Sequence, residues 1–223
     1  MSNLILIKEL REKTGAGFLD CKNALSTNDN NIEQSIDSLR KKGLAKATKK
    51  SSREANEGAV GFFSNENISV ILKINSETDF SAKSDTFLNF LDTIGNIALS
   101  TNDINLDLNG FLKVENNGKS ISDLLNEMIA KIGENLIIND LKIFDNKTTK
   151  VNYYIHNPYR KNIGKIVSAV FYSSEEDNDN VKNFSKNICM HIAASKPEAM
   201  DIDSLPAELI ENEKKIQSEI IKD

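Results

Sequence analysis

Between residues 68 and 74 every second side chain is a large aliphatic: Ile68, Val70, Leu72 and Ile74, with Ser69, Ile71 and Lys73 interleaved and Asn75 following. A period of two does not fit a helix, so the segment reads as a strand with one buried face and commits the middle of the chain to a sheet. Residues 58–63 read as its hairpin partner across the turn Ser64-Asn65-Glu66-Asn67. The period then lengthens. Phe87, Phe90, Leu91, Ile94, Ile97 and Ala98 keep helical spacing, as do Ile121, Leu124, Leu125, Met128, Ile129 and Ile132. Leu136-Ile137-Ile138 opens another strand that reaches Phe144. The last third restarts the plan with a hairpin from residues 151–155 and 163–172. A helix carrying Val181, Phe184, Ile188 and Ile192 follows, and a final one starts near Pro206 with Leu209, Ile216 and Ile220. This second unit has no closing strand.

Ahead of the sheet lies a helical unit. Leu6, Ile7 and Leu10 share one helix face, and the glycines of Thr14-Gly15-Ala16-Gly17 break it. Phe18, Leu19 and Leu25 belong to a second short helix. Asn30 followed by Glu33 marks the start of a third, whose apolar face is Ile32, Ile36 and Leu39, with Gly43 read as its stop. Three helices in roughly 45 residues is near the lower limit for an independent domain, so this unit is expected to depend on a small core.

Charge narrows the function classes. The chain has 28 Lys+Arg against 33 Asp+Glu, a net −5, which disfavours a protein dedicated to coating nucleic acid. Residues 40–53 depart from this with seven basic and no acidic side chains, leaving 21 basic against 33 acidic elsewhere. Such a stretch reads as a linker or a contact surface. It could hold a phosphate backbone, making a nucleic-acid or ribosome-associated adaptor the rival reading, but it lacks the aromatics that single-strand binders stack on bases. No run approaches the ~18 apolar residues of a membrane span, and the apolar patch at residues 4–7 is too short for a secretory segment. With two cysteines and no disulfide framework, the expectation is a reduced, cytoplasmic chain.

Chemical motifs are sparse. Gly118-Lys119-Ser120 resembles part of a phosphate loop, yet position 113 is lysine where the loop needs glycine, so the triplet reads as a turn before a helix. The two histidines are His156 and His191; Cys189, two residues before His191, would point to a different helix face and makes a poor chelate. Cys21 and Cys189 read as packing thiols. Neither a metal site, a cofactor nor a bond-making centre of the chain's own is expected. One tripeptide stands out after the best strand: Thr78-Asp79-Phe80, followed by Ser81-Ala82-Lys83. One reading is a helix cap with the phenylalanine folded back into the core. The other is a loop tip presenting an acid to a partner's metal site and an aromatic wedge to a partner's pocket.

The segment Leu10-Arg11-Glu12-Lys13-Thr14-Gly15-Ala16-Gly17-Phe18-Leu19-Asp20-Cys21-Lys22-Asn23-Ala24-Leu25 resembles the N-terminal signature of the elongation factor Ts family. The likeness continues in family order through the stretch from Ile36 to Ala47, Asn75-Ser76-Glu77-Thr78-Asp79-Phe80, Lys131-Ile132-Gly133-Glu134-Asn135 and Met190-His191-Ile192-Ala193-Ala194-Ser195-Lys196-Pro197. Any one block is weak evidence; together they are specific and span nearly the whole chain. The resemblance implies an α+β fold: a UBA-like (ubiquitin-associated-like) three-helix domain with a basic linker over residues 1–53, a core subdomain over 54–146, and a related subdomain over 147–223. It implies a guanine nucleotide exchange factor for elongation factor Tu, with Thr78, Asp79, Phe80 and Ser81 entering near that partner's magnesium and phosphate loop. It further implies that Lys8, Arg11, Phe18 and Leu19 touch the partner's nucleotide-binding domain and that His156 matches a partner-contacting histidine. Longer relatives continue into a helical hairpin and a strand-bearing return. The second subdomain here is therefore expected to be incomplete, and its open sheet edge to favour homo-oligomers.

Overall fold

Three helices open the chain: α1 (Asn3–Thr14), α2 (Phe18–Thr27) and α3 (Ile32–Lys50). The computed structural model describes residues 3–176 and 178–221; the chain end at Asp223 and the Lys46 side chain of the basic run lie outside the described residues. Gly15 closes α1 in a left-handed conformation (φ 66°), its N–H donating to the Arg11 carbonyl at 2.7 Å. Ile7, Leu10, Cys21, Ala24 and Leu25 form the small core, with Ile32, Ile36 and Leu39 of α3 packed against it. The third helix departs from expectation at both ends. Its cap is Asn31, whose side chain accepts the Gln34 N–H at 3.0 Å, while Asp29 and Asn30 form the left-handed turn before it. Gly43 does not stop it. A Cβ there would lie 3.2 Å from the Cβ of Ala130, so the glycine is where α3 crosses close to a core helix, and the basic run continues as helix to Lys50.

The sheet has five strands, β1 (Glu57–Ser64), β2 (Ile68–Ser76), β5 (Leu136–Asp145), β6 (Lys150–Arg160) and β7 (Ile163–Tyr172), in the antiparallel order β5-β2-β1-β7-β6. A two-residue ribbon, β3 (Glu115–Asn116) with β4 (Lys119–Ser120), stands apart from it. The first hairpin turns on Asn65, whose side-chain oxygen accepts the N–H groups of Asn67 and Ile68, both at 2.8 Å. The two hairpins join where Val60 faces Gly164 and Gly61 faces Ile163. As the central partner of β1 and β5, β2 buries Ser69, Asn75 and Ser76 along with its aliphatic residues, so the expected single buried face becomes two covered faces. Consecutive Phe62 and Phe63 point to opposite sides. The ring of Phe62 stacks on Tyr153 with centroids 4.1 Å apart, whereas Phe63 lies under a helix.

Helices cover these faces. After the short α4 (Asp79–Lys83) come α5 (Asp85–Thr101), α6 (Leu108–Phe111) and α7 (Ile121–Ile132). The 118–120 triplet leads into a helix as read, with the turn itself at Asn117 and Gly118, both at positive φ; Lys119 and Ser120 follow as β4, and Ser120 caps α7 by accepting the Asp123 N–H at 3.0 Å. Lys119 is bound to Glu127 at 2.6 Å. On the second hairpin lies α8 (Asp179–Ser195), and α9 (Ala207–Ile220) closes the described chain. Of the apolar face expected for α8, Val181, Ile188 and Ile192 are half-buried and Phe184 falls outside it. Phe184 is 67% exposed, and the residues turned inward are Ser185, Cys189 and Ala193. Small and polar groups suit this close contact because they bond across it: Asn152 donates to the Ser185 hydroxyl at 3.0 Å, and the Ser168 hydroxyl donates to the Cys189 carbonyl at 2.7 Å. Both cysteines are buried free thiols whose pKa is raised, first of all by that burial.

The seat of α5 on the sheet is a glycine pair. The Phe63 ring occupies the space a side chain would need at both Gly61 and Gly95; a Cβ at Gly95 would meet ring carbons at 2.1 Å and 2.2 Å. In an exposed helix Gly→Ala gains about 1 kcal/mol. Here Gly95→Ala is expected to lower stability by about 1–3 kcal/mol through overpacking, read as a lower urea midpoint with an unchanged slope.

Candidate functional site

The strand β2 ends at Ser76, and the chain must turn before the five residues of α4. Thr78 starts that helix: its hydroxyl oxygen accepts the Ser81 N–H at 3.2 Å. The same hydroxyl has one proton to give, and it donates it to Oε1 of Glu134 at 2.7 Å, while the Thr78 N–H donates to Oε2 of that carboxylate at 3.1 Å. The neighbouring residues repeat the exchange in the other direction. Glu77 accepts the Asn135 N–H at 2.6 Å, and Asn135 reaches on to the Arg53 carbonyl at 2.7 Å. Arg53 also pairs with Glu77 at 3.4 Å, and Lys50 donates to the carbonyl of Gly133, the left-handed cap that ends α7. Two loops far apart in sequence, 77–78 and 133–135, therefore hold each other, and the end of the basic run is fastened to both.

On this mount the two readings of the tripeptide separate. The cap exists, and Thr78 makes it. Phe80 is not folded back: it is 85% exposed. Asp79 is half-buried beside it and forms an i,i+4 ion pair with Lys83 at 2.8 Å. The Lys83 hydrogen bond, ahead of its charge, holds the Asp79 carboxyl below its ordinary pKa, and Asp79 in turn raises Lys83. Ser81 and Ala82 face inward; Ser81 is 8% exposed, and its hydroxyl finds no hydrogen-bond partner among the described residues. The helix that follows is tied to the second hairpin by Arg160, which donates to Asn89 at 2.7 Å and to the Asp85 carboxylate at 3.0 Å.

The other residues singled out in the sequence sit on separate elements. Lys8 and Arg11 lie exposed one turn apart on α1, and Phe18 (47% exposed) and Leu19 (66% exposed) occupy the first turn of α2, straight after the Gly15–Gly17 break. Leu4 and Ile5 are also exposed in that unit. Sequence reading passed them over; the signal was their place ahead of the buried pair Ile7 and Leu10. His156 is exposed on the edge strand β6, with Nδ1 at 3.3 Å from the Tyr154 hydroxyl. Asn157 beside it has φ 47°, and the β6–β7 register shifts just beyond, between Pro158 and Arg160. Among the described residues no cluster of three or more His, Cys, Asp or Glu side chains is arranged to hold a metal, and no helix is long and apolar enough to cross a membrane.

The fold and these features define an α+β protein whose prominent site is a projection carried on a sheet. The family model described as Elongation factor TS matches residues 77–223. The chain is 40% identical over 214 residues to elongation factor Ts of Allorhizobium ampelinum, covering 95% of this chain and 68% of that protein. Against elongation factor Ts of Rickettsia typhi it is 40% identical over 211 residues, covering 94% and 67%; against that of Magnetococcus marinus it is 38% identical over 211 residues, covering 95% and 68%. The chain belongs to the elongation factor Ts family, and so to the translation elongation factors.

The ion pair at the tip has a measurable sign. A carboxylate with a depressed folded pKa contributes stability that is present above its ordinary pKa and lost as pH falls through the depressed one. In Lys83→Met the Asp79 carboxyl is expected to titrate at a higher pH than in the unaltered chain, nearer the ordinary carboxylate value, as followed by carbon-13 NMR. An unmoved titration would remove Lys83 as the cause.

Proposed function

We propose that the chain is a guanine nucleotide exchange factor that binds GDP-bound elongation factor Tu and promotes GDP release. The tip Thr78-Asp79-Phe80, with Ser81 beneath it, inserts near the partner's magnesium and phosphate loop. The observation that carries this reading is the 85% exposure of Phe80 on a mount hydrogen-bonded from two sides. A phenylalanine left in water forgoes about 1.5–3 kcal/mol that full burial would supply, so a partner pocket that takes the ring recovers it on binding. A carboxylate delivered with the ring brings negative charge to a site built around phosphate and a cation, weakening the contacts that hold GDP. The coupling is reciprocal: by the factor that this chain weakens GDP, GDP weakens this chain. Bond making is no part of the role.

In this reading Lys8, Arg11, Phe18 and Leu19 dock on the partner's nucleotide-binding domain and His156 makes a separate contact. The three units are the UBA-like residues 1–53 and the core subdomains 54–146 and 147–223, acting in the cytoplasm. The exposed charge and apolar surface on α1 and α2 supports the first contact. The adaptor reading is less well supported. Within residues 40–53, Arg40 pairs with Asp123, Lys42 with Asp20, Arg53 with Glu77, and Lys50 binds the Gly133 carbonyl, so these cations already have partners inside the chain.

Stopped-flow release of a fluorescent GDP analogue from elongation factor Tu tests the proposal. Asp79→Ala and Phe80→Ala are each expected to slow release by about tenfold or more, the scale of one lost apolar or charged contact, without a change in the circular dichroism of the free protein. Unchanged rates in both variants would defeat the mechanism.

A further inference from the structure

The geometry points to Glu134 as the positioning residue of the tip: its carboxylate, delivered from the loop between α7 and β5, fixes the Thr78 hydroxyl and backbone and thereby the direction in which α4 presents Asp79 and Phe80. The inference rests on the exchange-factor reading above and adds to it a residue that acts through Thr78.

The argument is one of proton direction. A threonine hydroxyl has a single proton and two lone pairs. Because Glu134 Oε1 is an obligate acceptor at 2.7 Å, it takes that proton and leaves a lone pair facing the helix, where the Ser81 N–H uses it at 3.2 Å. Without the carboxylate the hydroxyl proton has no fixed acceptor, so the lone pair that receives the Ser81 N–H is no longer held in place. A helix of five residues is far below the length at which helices persist in water, so what holds it is its bonding and packing to the rest of the chain, including Ala82 in the core and the Ser76 hydroxyl, which donates to the Thr78 carbonyl at 2.9 Å. Of its two inward residues only Ala82 packs without a cost, because the Ser81 hydroxyl is buried with no partner among the described residues. The orientation of the tip is thus imposed from outside α4. Glu134 is itself placed by the Gly133 cap of α7 and by the reciprocal bond from the Asn135 N–H to Glu77. Glu134 is separated from the tip by 56 residues of chain, and the two loops meet only through the fold.

The test compares Glu134→Ala, Thr78→Val and Thr78→Ser in the full chain, with Phe80→Ala as the control for the underlying reading. Maximal GDP release from elongation factor Tu and the half-saturating concentration of the exchange factor are measured separately. Glu134→Ala and Thr78→Val are expected to lower the maximal rate by about tenfold, the scale of one charge-assisted hydrogen bond, and to leave half-saturation within about twofold. Thr78→Ser, which keeps the hydroxyl, is expected to release at the unaltered rate. Combining Glu134→Ala with Thr78→Val should slow release by less than the product of the two single effects, because both remove the hydroxyl–carboxylate bond. Amide hydrogen exchange should quicken over residues 78–83 in Glu134→Ala while β1 and β2 stay protected. If Glu134→Ala fails to fold, the valine and serine variants decide: equal maximal rates for the two overturn the inference. So does a Glu134→Ala protein that folds and releases GDP at the full maximal rate, or one altered only in half-saturation. Should Phe80→Ala also be unimpaired, the exchange-tip reading itself has failed; should it alone be slow, only the role of Glu134 has.

Discussion

Two carboxylates exchanged between two loops hold the segment that presents Phe80 to solvent in place. Glu134 accepts from the backbone of Thr78, and Glu77 accepts from the backbone of Asn135, so each loop satisfies an amide of the other. Backbone groups at the ends of strands and helices need partners, and water is the usual one. Here the protein supplies them itself, and the consequence is geometric: the end of β2, the start of α4 and the end of α7 occupy one fixed arrangement. Arg53 and Lys50 extend the arrangement to the end of α3, which brings the N-terminal helices into the same set of contacts. A segment of the chain that looks like a cationic tether in composition is in structure largely a fastening.

How much of this could be read from the residues alone depends on what signal each element carries. Strands β2, β5 and β7 and helices α5 and α7 declare themselves because large apolar residues recur at a period that only one backbone geometry satisfies. The centre of the α8 face is hidden from the pattern because Phe184 outweighs Ser185, Cys189 and Ala193 on any scale of apolarity, whereas the close approach to the sheet favours small side chains that hydrogen-bond. The same blindness to close approach turned Gly43 into a helix stop. Glycine is ambiguous in a sequence, since an end of helix and a crossing of helices both ask for the absence of a Cβ. Helix α4 has too few residues to show a period at all.

At the site, the sequence poses an alternative that its residues cannot decide. A threonine followed by an acid and an aromatic fits a helix cap over a buried ring and fits a projecting lever equally well. The structure combines one half of each: the cap is real and the ring is in water. The mount could not have been found by pattern, because Glu77, Glu134, Asn135 and Arg53 are polar residues with no periodicity, drawn together only when the sheet closes. Family resemblance marks two of the blocks involved, Asn75 to Phe80 and Lys131 to Asn135, without saying that they touch.

The unpartnered hydroxyl of Ser81 carries a consequence for the molecule as a whole. Desolvating a hydroxyl with no acceptor costs about 1–3 kcal/mol, against a net stability of about 5–15 kcal/mol for a typical domain. A methyl or larger aliphatic group at that position would avoid the loss and grip the layer below more firmly. As built, the protrusion is braced at its flank by Glu134 and rooted underneath by Ala82 alone, with the Ser81 hydroxyl adding burial but no hydrogen bond among the described residues.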